Sequence, residues 1–102
     1  MLETRKPNGE IITGRVRLIH AAGMHARPAV KLTKLAKKFQ AQISIRVAEN
    51  AEWINAKSVA KIMALRAAPD SIIEIEASGE DAAAAVAALV DLVATDFPDN
   101  GQ

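Results

Sequence analysis

The stretch RVRLIHAAGMHARPAVKL, residues 15–32, changes its hydrophobic period in the middle. Before residue 20 it alternates apolar and basic side chains, which is typical of a strand with one buried face. After His25 its apolar residues recur at helical spacing, and Pro28 suits a first helical turn because its missing N–H loses no bond there. The stretch therefore predicts a strand over 11–19, a short loop, and a helix that starts beside a histidine.

Five more elements are predicted further along the chain. They are a strand at 43–47, a short strand at 53–55 after a turn at 48–52, a short helix at 59–65, a strand at 72–77 and a long helix at about 80–96. Ser58 is a good N-cap for the short helix, and Ser78, three residues ahead of an acid, suggests a cap for the long one. The order βαββαβα has connections too short for a wholly parallel sheet. We therefore predict an α+β fold: a four-stranded antiparallel sheet with three helices on one face.

The composition fits one domain and excludes several functions. The chain has 102 residues, 50% of them hydrophobic, with 13 Lys and Arg against 12 Asp and Glu and no cysteine. Disulfides, thiolate metal sites and thiol catalysis are therefore excluded. A net charge of +1 and three aromatic residues argue against nucleic-acid binding. We expect a flexible extension at 1–9, the folded domain at 10–97 and a tail at 98–102.

The sequence does not predict a membrane-inserted protein or a nucleotide-binding protein. The longest apolar run, residues 82–90, has nine residues, whereas a membrane helix needs roughly 20. We therefore expect a cytoplasmic protein that does not insert into membranes. The sequence contains no Gly-rich phosphate loop or nucleotide fingerprint, so no cofactor is expected, and we expect a protein that is passed between enzymes as their substrate.

His25 is the candidate reactive residue. Backbone N–H groups at a helix start lack intrahelical acceptors and the dipole there is positive, which favours an anion and a neutral imidazole. A neutral ring is a nucleophile, and a phosphoryl group on it could accept hydrogen bonds from the N–H groups of Ala26 and Arg27. The Arg27 guanidinium adds charge-assisted donors. The segment therefore suits a transient phosphohistidine, although such a short motif more often marks an ordinary surface histidine.

Other polar residues have plain structural explanations. His20, at the end of the first strand, is expected to be a surface or loop residue, and two histidines without a third ligand make a poor metal site. Helix capping fully explains Ser58. The lysines of the first helix are most often a solvated face. These lysines are Lys31, Lys34, Lys37 and Lys38.

Three segments together resemble the HPr family, the histidine-containing phosphocarrier proteins of the bacterial phosphoenolpyruvate-dependent phosphotransferase system. They are GMHARPA at 23–29, NAKSV at 55–59 and ASGED at 77–81, and the resemblance extends over about residues 10–97. It implies an open-faced β-sandwich of four antiparallel strands under three helices. It also implies that this protein is a monomeric carrier, not an enzyme with turnover of its own.

The resemblance implies roles for individual residues. Nδ1 of His25 would receive a phosphoryl group from phosphorylated enzyme I and pass it to an enzyme IIA component, and Arg27 would help to stabilise it. Ser58 matches a serine that a dedicated enzyme, HPr kinase/phosphorylase, phosphorylates in many members. Partners would dock on the surface around the histidine and the short helix. The residues implied there are Met24, Val30, Lys34, Lys37, Val59, Ala60 and Met63.

The sequence departs from the family pattern at two turns. The turn near 48–52 is longer than usual and is followed by an unusual Trp53, and glycines expected after the short helix and before the fourth strand are replaced within 66–71. We expect the second turn to be built differently. Two other functions stay open: a binding module regulated through Ser58 or His25 without onward transfer, and a domain that only oligomerises. The acceptor pathway, sugar transport or regulation, also stays open.

Overall fold

The structure is a computed structural model that describes residues 10–48 and 52–98. Its elements follow the predicted order: β1 (Ile11–Arg17), α1 (Ala26–Ala36), β2 (Gln42–Val47), β3 (Ile54–Asn55), α2 (Val59–Ala64), β4 (Ile72–Ser78) and α3 (Ala82–Ala94). The predicted extension at 1–9, the centre of the 48–52 turn and the end of the tail lie outside the described residues.

The four strands form one antiparallel sheet in the order β1-β4-β2-β3. Alternate residues of β4 are buried beneath the helices, namely Ile73, Ile75 and Ala77. On the opposite face Glu74 bridges Arg15 of β1 and Arg46 of β2, and Trp53 stacks on the Arg46 guanidinium at 4.4 Å. The predicted α+β fold, with its helices on one face of the sheet, is confirmed.

The long helix begins later than predicted. Ser78 remains in β4, and α3 starts at Ala82 with Asp81 as its N-cap. The Asp81 carboxylate does not cap its own helix: it accepts hydrogen bonds from the backbone N–H groups of residues 40 and 41, at 2.9 and 2.8 Å. These bonds, the one from residue 40 first, lower the pKa of Asp81 despite partial desolvation. The expected cap at Ser78 is therefore absent, and the Asp81 carboxylate instead connects the start of α3 to the loop before β2 by hydrogen bonds.

The turn between α2 and β4 keeps a left-handed backbone without glycine. Arg66 has φ of 50° and Asp70 has φ of 71°, both within the segment 66–71. A positive φ at Arg66, which is not glycine, carries local backbone strain. The expectation that this turn is built differently from that of other family members stays a prediction.

Candidate functional site

The loop between β1 and α1 is held against the turn after α2. Gly23 donates its N–H to the carbonyl of His20 at 2.9 Å, and Met24 donates to the carbonyl of Ala67 at 2.9 Å. Gly23 has φ of +74°, and a Cβ there would lie 2.5 Å from the Ala67 oxygen, so only glycine fits without a shift. The loop therefore places His25 at the start of α1, with an exposed side chain.

Met24 does not fit the docking role that the sequence analysis gave it. Its side chain is only 5% exposed and belongs to the hydrophobic core. Met24 packs inward, whereas the next residue, His25, is exposed. We therefore remove Met24 from the candidate docking surface.

The first turn of α1 offers backbone donors next to the imidazole. His25 is the N-cap, and its carbonyl accepts the N–H of Ala29 at 3.0 Å, but its side chain makes no capping bond. The amide hydrogens of Ala26 and Arg27 point out of the end of the helix, and Pro28 has no N–H. This arrangement suits an anion bound between the ring and the helix end.

His25 is not isolated, because its ring contacts a second histidine. The Nε2 atoms of His20 and His25 are 3.1 Å apart, and the ring centroids are 5.1 Å apart. On its other side, Nδ1 of His20 lies 2.7 Å from Oδ1 of Asp96. A carboxylate and two imidazoles therefore form one hydrogen-bonded row that ends at the candidate reactive ring.

The segment after α3 makes two further contacts with the residues around the site. The Phe97 ring is buried and meets the His20 ring edge-on, with centroids 5.9 Å apart. Lys31 of α1 donates from Nζ to the carbonyl oxygens of Phe97 and Pro98, at 2.9 and 3.3 Å. Asp96 and Phe97 both have positive φ, 61° and 52°. The N–H groups of these two residues bond to the carbonyls of Val93 and Leu92 and so close the end of α3.

Sequence reasoning missed this row. His20 was expected to be a plain surface residue, and Asp96 was assigned only to the end of the long helix. The two residues are 76 positions apart, so no local motif links them. Lys31, expected on a solvated face with its neighbours, instead holds the segment after α3 near the site.

Two cations lie side by side on α1 near the site. Arg27 and Lys31 are one helical turn apart. Desolvation, and then the repulsion of Arg27, lower the pKa of Lys31 from its ordinary value. Arg27 is exposed in the first turn, where its positive charge favours an anion at the helix end.

The remaining predicted site residues lie on exposed parts of α1 and α2, which pack against each other. On α1, Val30, Lys34 and Lys37 follow one another at helical spacing on the exposed face that starts next to His25. On α2, Ser58 is the N-cap and accepts the N–H of Lys61 at 3.2 Å. The other predicted docking residues of α2 are half-buried or exposed. They are Val59, Ala60 and Met63.

Within 10–48 and 52–98, no group of three His, Asp or Glu side chains is arranged to hold a metal ion. Over the same residues, the helices are all too short or too polar to span a bilayer.

The protein is thus a small α+β domain that presents an exposed histidine at the amino end of its first helix. A family model described as "PTS HPr component phosphorylation site" matches residues 12–95. The chain belongs to the HPr family of phosphocarrier proteins of the phosphotransferase system.

Curated relatives and solved structures agree with this assignment. A phosphocarrier protein HPr of Neisseria meningitidis is 37% identical over 76% of this chain and 85% of its own length. A phosphocarrier protein NPr of Proteus mirabilis is 38% identical over 84% of this chain and 94% of its own. The crystal structure of HPr-C-His from Thermoanaerobacter tengcongensis superposes with a TM-score of 0.78 at 32% identity, covering 84% of this chain and 94% of that one. Relatives of both the HPr and the NPr type are thus similar to this chain.

Proposed function

We propose that Nδ1 of His25 accepts a phosphoryl group from phosphorylated enzyme I and that the protein then donates this group to an enzyme IIA component. The observation that carries the proposal is the exposed His25 ring beside the outward amides of the first turn of α1. Membership of a phosphocarrier family supports it independently.

The residues around His25 suit a transferable, rather than a permanent, phosphoryl group. The amides of Ala26 and Arg27 and the Arg27 guanidinium are hydrogen-bond donors for phosphate oxygens. These donors lie at the surface, where water competes with them, so they bind the anion without burying it. An exposed phosphohistidine is accessible first to the donor protein and then to the acceptor.

The exposed residues beside His25 supply a docking surface for both partners. Val30 and Met63 are large apolar side chains that are 41% and 40% exposed. Lys34 and Lys37 add positive charge, which would raise the association rate with acidic partners more than the affinity. The surface is completed by the half-buried Val59 and the exposed Ala60.

The test is phosphorylation of the purified chain by phosphoenolpyruvate, Mg²⁺ and a competent enzyme I. We expect one phosphoryl group per chain, labile in acid and stable in alkali, on the peptide that contains His25. His25→Ala should abolish labelling, whereas Lys38→Ala, an exposed change away from the ring, should not. Transfer from the labelled protein to an enzyme IIA component completes the test. Absence of labelling in the wild-type chain would contradict the proposal.

Ser58 is a candidate for regulation of this carrier. Its partly exposed hydroxyl caps α2 next to Val59 and Ala60 of the docking surface. A phosphate there would add negative charge at a helix start, which is locally favourable, and would repel acidic partners. We expect Ser58→Asp to weaken binding to enzyme I while Ser58→Asn, which keeps a cap without the charge, does not. Equal affinities for the two variants would contradict this role.

A further inference from the structure

We propose that His20 and Asp96 form a positioning pair that fixes the proton on Nε2 of His25 and leaves Nδ1 as the nucleophile. The inference deepens the proposed function and depends on it. It is based on the hydrogen-bonded row of Asp96, His20 and His25.

The direction of each hydrogen bond follows from which of the facing atoms carries a proton. An ionised carboxylate is only an acceptor, so Nδ1 of His20 must donate to Asp96. When each ring carries one proton, Nε2 of His20 is then an acceptor. The facing atom, Nε2 of His25, must therefore be the donor. The only proton of the His25 ring is thus on Nε2, and the lone pair on Nδ1 remains available.

The same row compensates charge during the reaction. The Nδ1 lone pair of His25 forms the bond to phosphorus, the bond between phosphorus and the donor group breaks, and the donor keeps that electron pair. The His25 ring gains a positive charge, and its Nε2 proton stays hydrogen-bonded to His20. The Asp96 carboxylate, one ring further away, offsets that charge without exchanging atoms with the substrate.

Several contacts keep the pair in place. The His20 side chain is 27% exposed, and Phe97 packs against its ring. Lys31 ties the carbonyls of Phe97 and Pro98 to α1, the helix that carries His25. Asp96 lies just after α3 with positive φ, and its carboxylate is 2.7 Å from Nδ1 of His20. Residues 96–98 thus hold His20 in place beside the reactive histidine.

The first experiment uses two substitutions of His20. His20→Gln retains an oxygen that can accept the proton of His25 Nε2, whereas His20→Leu offers no acceptor. We expect kcat/KM for phosphorylation by enzyme I to fall about 10- to 100-fold in His20→Leu, as for loss of a hydrogen bond to a charged group. His20→Gln should stay within about threefold of the wild type if its oxygen replaces the lost acceptor. Equal rates for Leu, Gln and wild type would overturn the inference.

The second experiment removes the charge of Asp96. Asn also tolerates the left-handed backbone, so Asp96→Asn leaves the turn intact, and we expect a loss of roughly threefold to tenfold. Asp91→Asn, the same charge change at an exposed position of α3, is the control and should leave the rate unchanged. A rate for Asp96→Asn equal to that of the control would contradict the role of Asp96.

Nuclear magnetic resonance of the ring nitrogens tests the proton position directly, because the chain contains only two histidines. With ¹⁵N-labelled histidine, we expect the His25 proton on Nε2 and a scalar coupling across the hydrogen bond to Nε2 of His20. A proton on Nδ1 of His25, or no coupling, would overturn the inference even if His20→Leu failed to fold. The proposed function fails separately, if the wild-type chain is not phosphorylated on His25.

Discussion

Substitution of Gly23 by alanine tests whether the loop before α1 holds His25 in place. A Cβ at this position would lie 2.5 Å from the carbonyl oxygen of Ala67 and 3.2 Å from Cδ of Pro69. That oxygen accepts the N–H of Met24 at 2.9 Å. The carbonyl must therefore move away, and the bond that fixes the residue before His25 must lengthen.

The expected loss of stability has three parts. An L residue at φ of +74° costs about 1–2 kcal/mol, and the weakened Met24 bond costs about 1 kcal/mol more. Alanine also reduces the conformational entropy of the unfolded chain, which stabilises the fold by about 0.4–1 kcal/mol. The net decrease in the free energy of unfolding is about 1–2.5 kcal/mol, which lowers Tm by roughly 5–15 °C. A displaced His25 should also reduce kcat/KM for phosphorylation about 10- to 100-fold.

Gly14→Ala is the matched control. A Cβ at Gly14 would lie 2.8 and 2.9 Å from methyl carbons of Val86 and Val90, where α3 packs on β1. This overpacking costs about 1–3 kcal/mol, yet it is outside the site loop. Urea unfolding should show a similar loss for both variants, while the rate of phosphorylation of the folded protein should fall only for Gly23→Ala. Unchanged stability of Gly23→Ala, or equal rates for the two variants, would show that this loop does not hold His25 in place.

Three further predictions concern stability. Ser58→Ala removes the side-chain cap of α2 and should lower the free energy of unfolding by about 1 kcal/mol in urea titrations; an unchanged midpoint would exclude the cap. Arg66→Gly relieves a positive φ and should raise the free energy of unfolding by about 0.5–1 kcal/mol. A lower urea midpoint would show that the arginine side chain stabilises the fold by more than the strain destabilises it. Asp81→Asn should destabilise the fold at neutral pH. Because hydrogen bonding lowers the pKa of Asp81, its stabilisation is complete above the ordinary carboxyl value of 3.8 and is lost as the pH falls through the lowered pKa. The Tm values of the variant and the wild type, measured from pH 7 to pH 2, should therefore converge in acid. A Tm difference that does not change with pH would show that the ionised Asp81 carboxylate is not its cause.

Local patterns were enough to predict the element order and the start of α1. The switch from alternating to helical period around residue 25, together with the Ser58 cap, depends on neighbours within a few residues, and the structure confirms both elements. Element ends were less accurate. The start of α3 was displaced because the Asp81 carboxylate satisfies a distant loop and not its own helix.

Local features of the chain are enough to show that a histidine precedes an amphipathic helix, since periodicity, proline placement and capping act over one or two turns. The surroundings of that histidine depend instead on contacts between residues far apart in the chain. Packing turned Met24 inward, and the fold brought Asp96 from 76 residues away to His20. Such contacts depend on how α3 ends relative to the sheet, which is a property of the whole packed chain and leaves no local mark in the sequence.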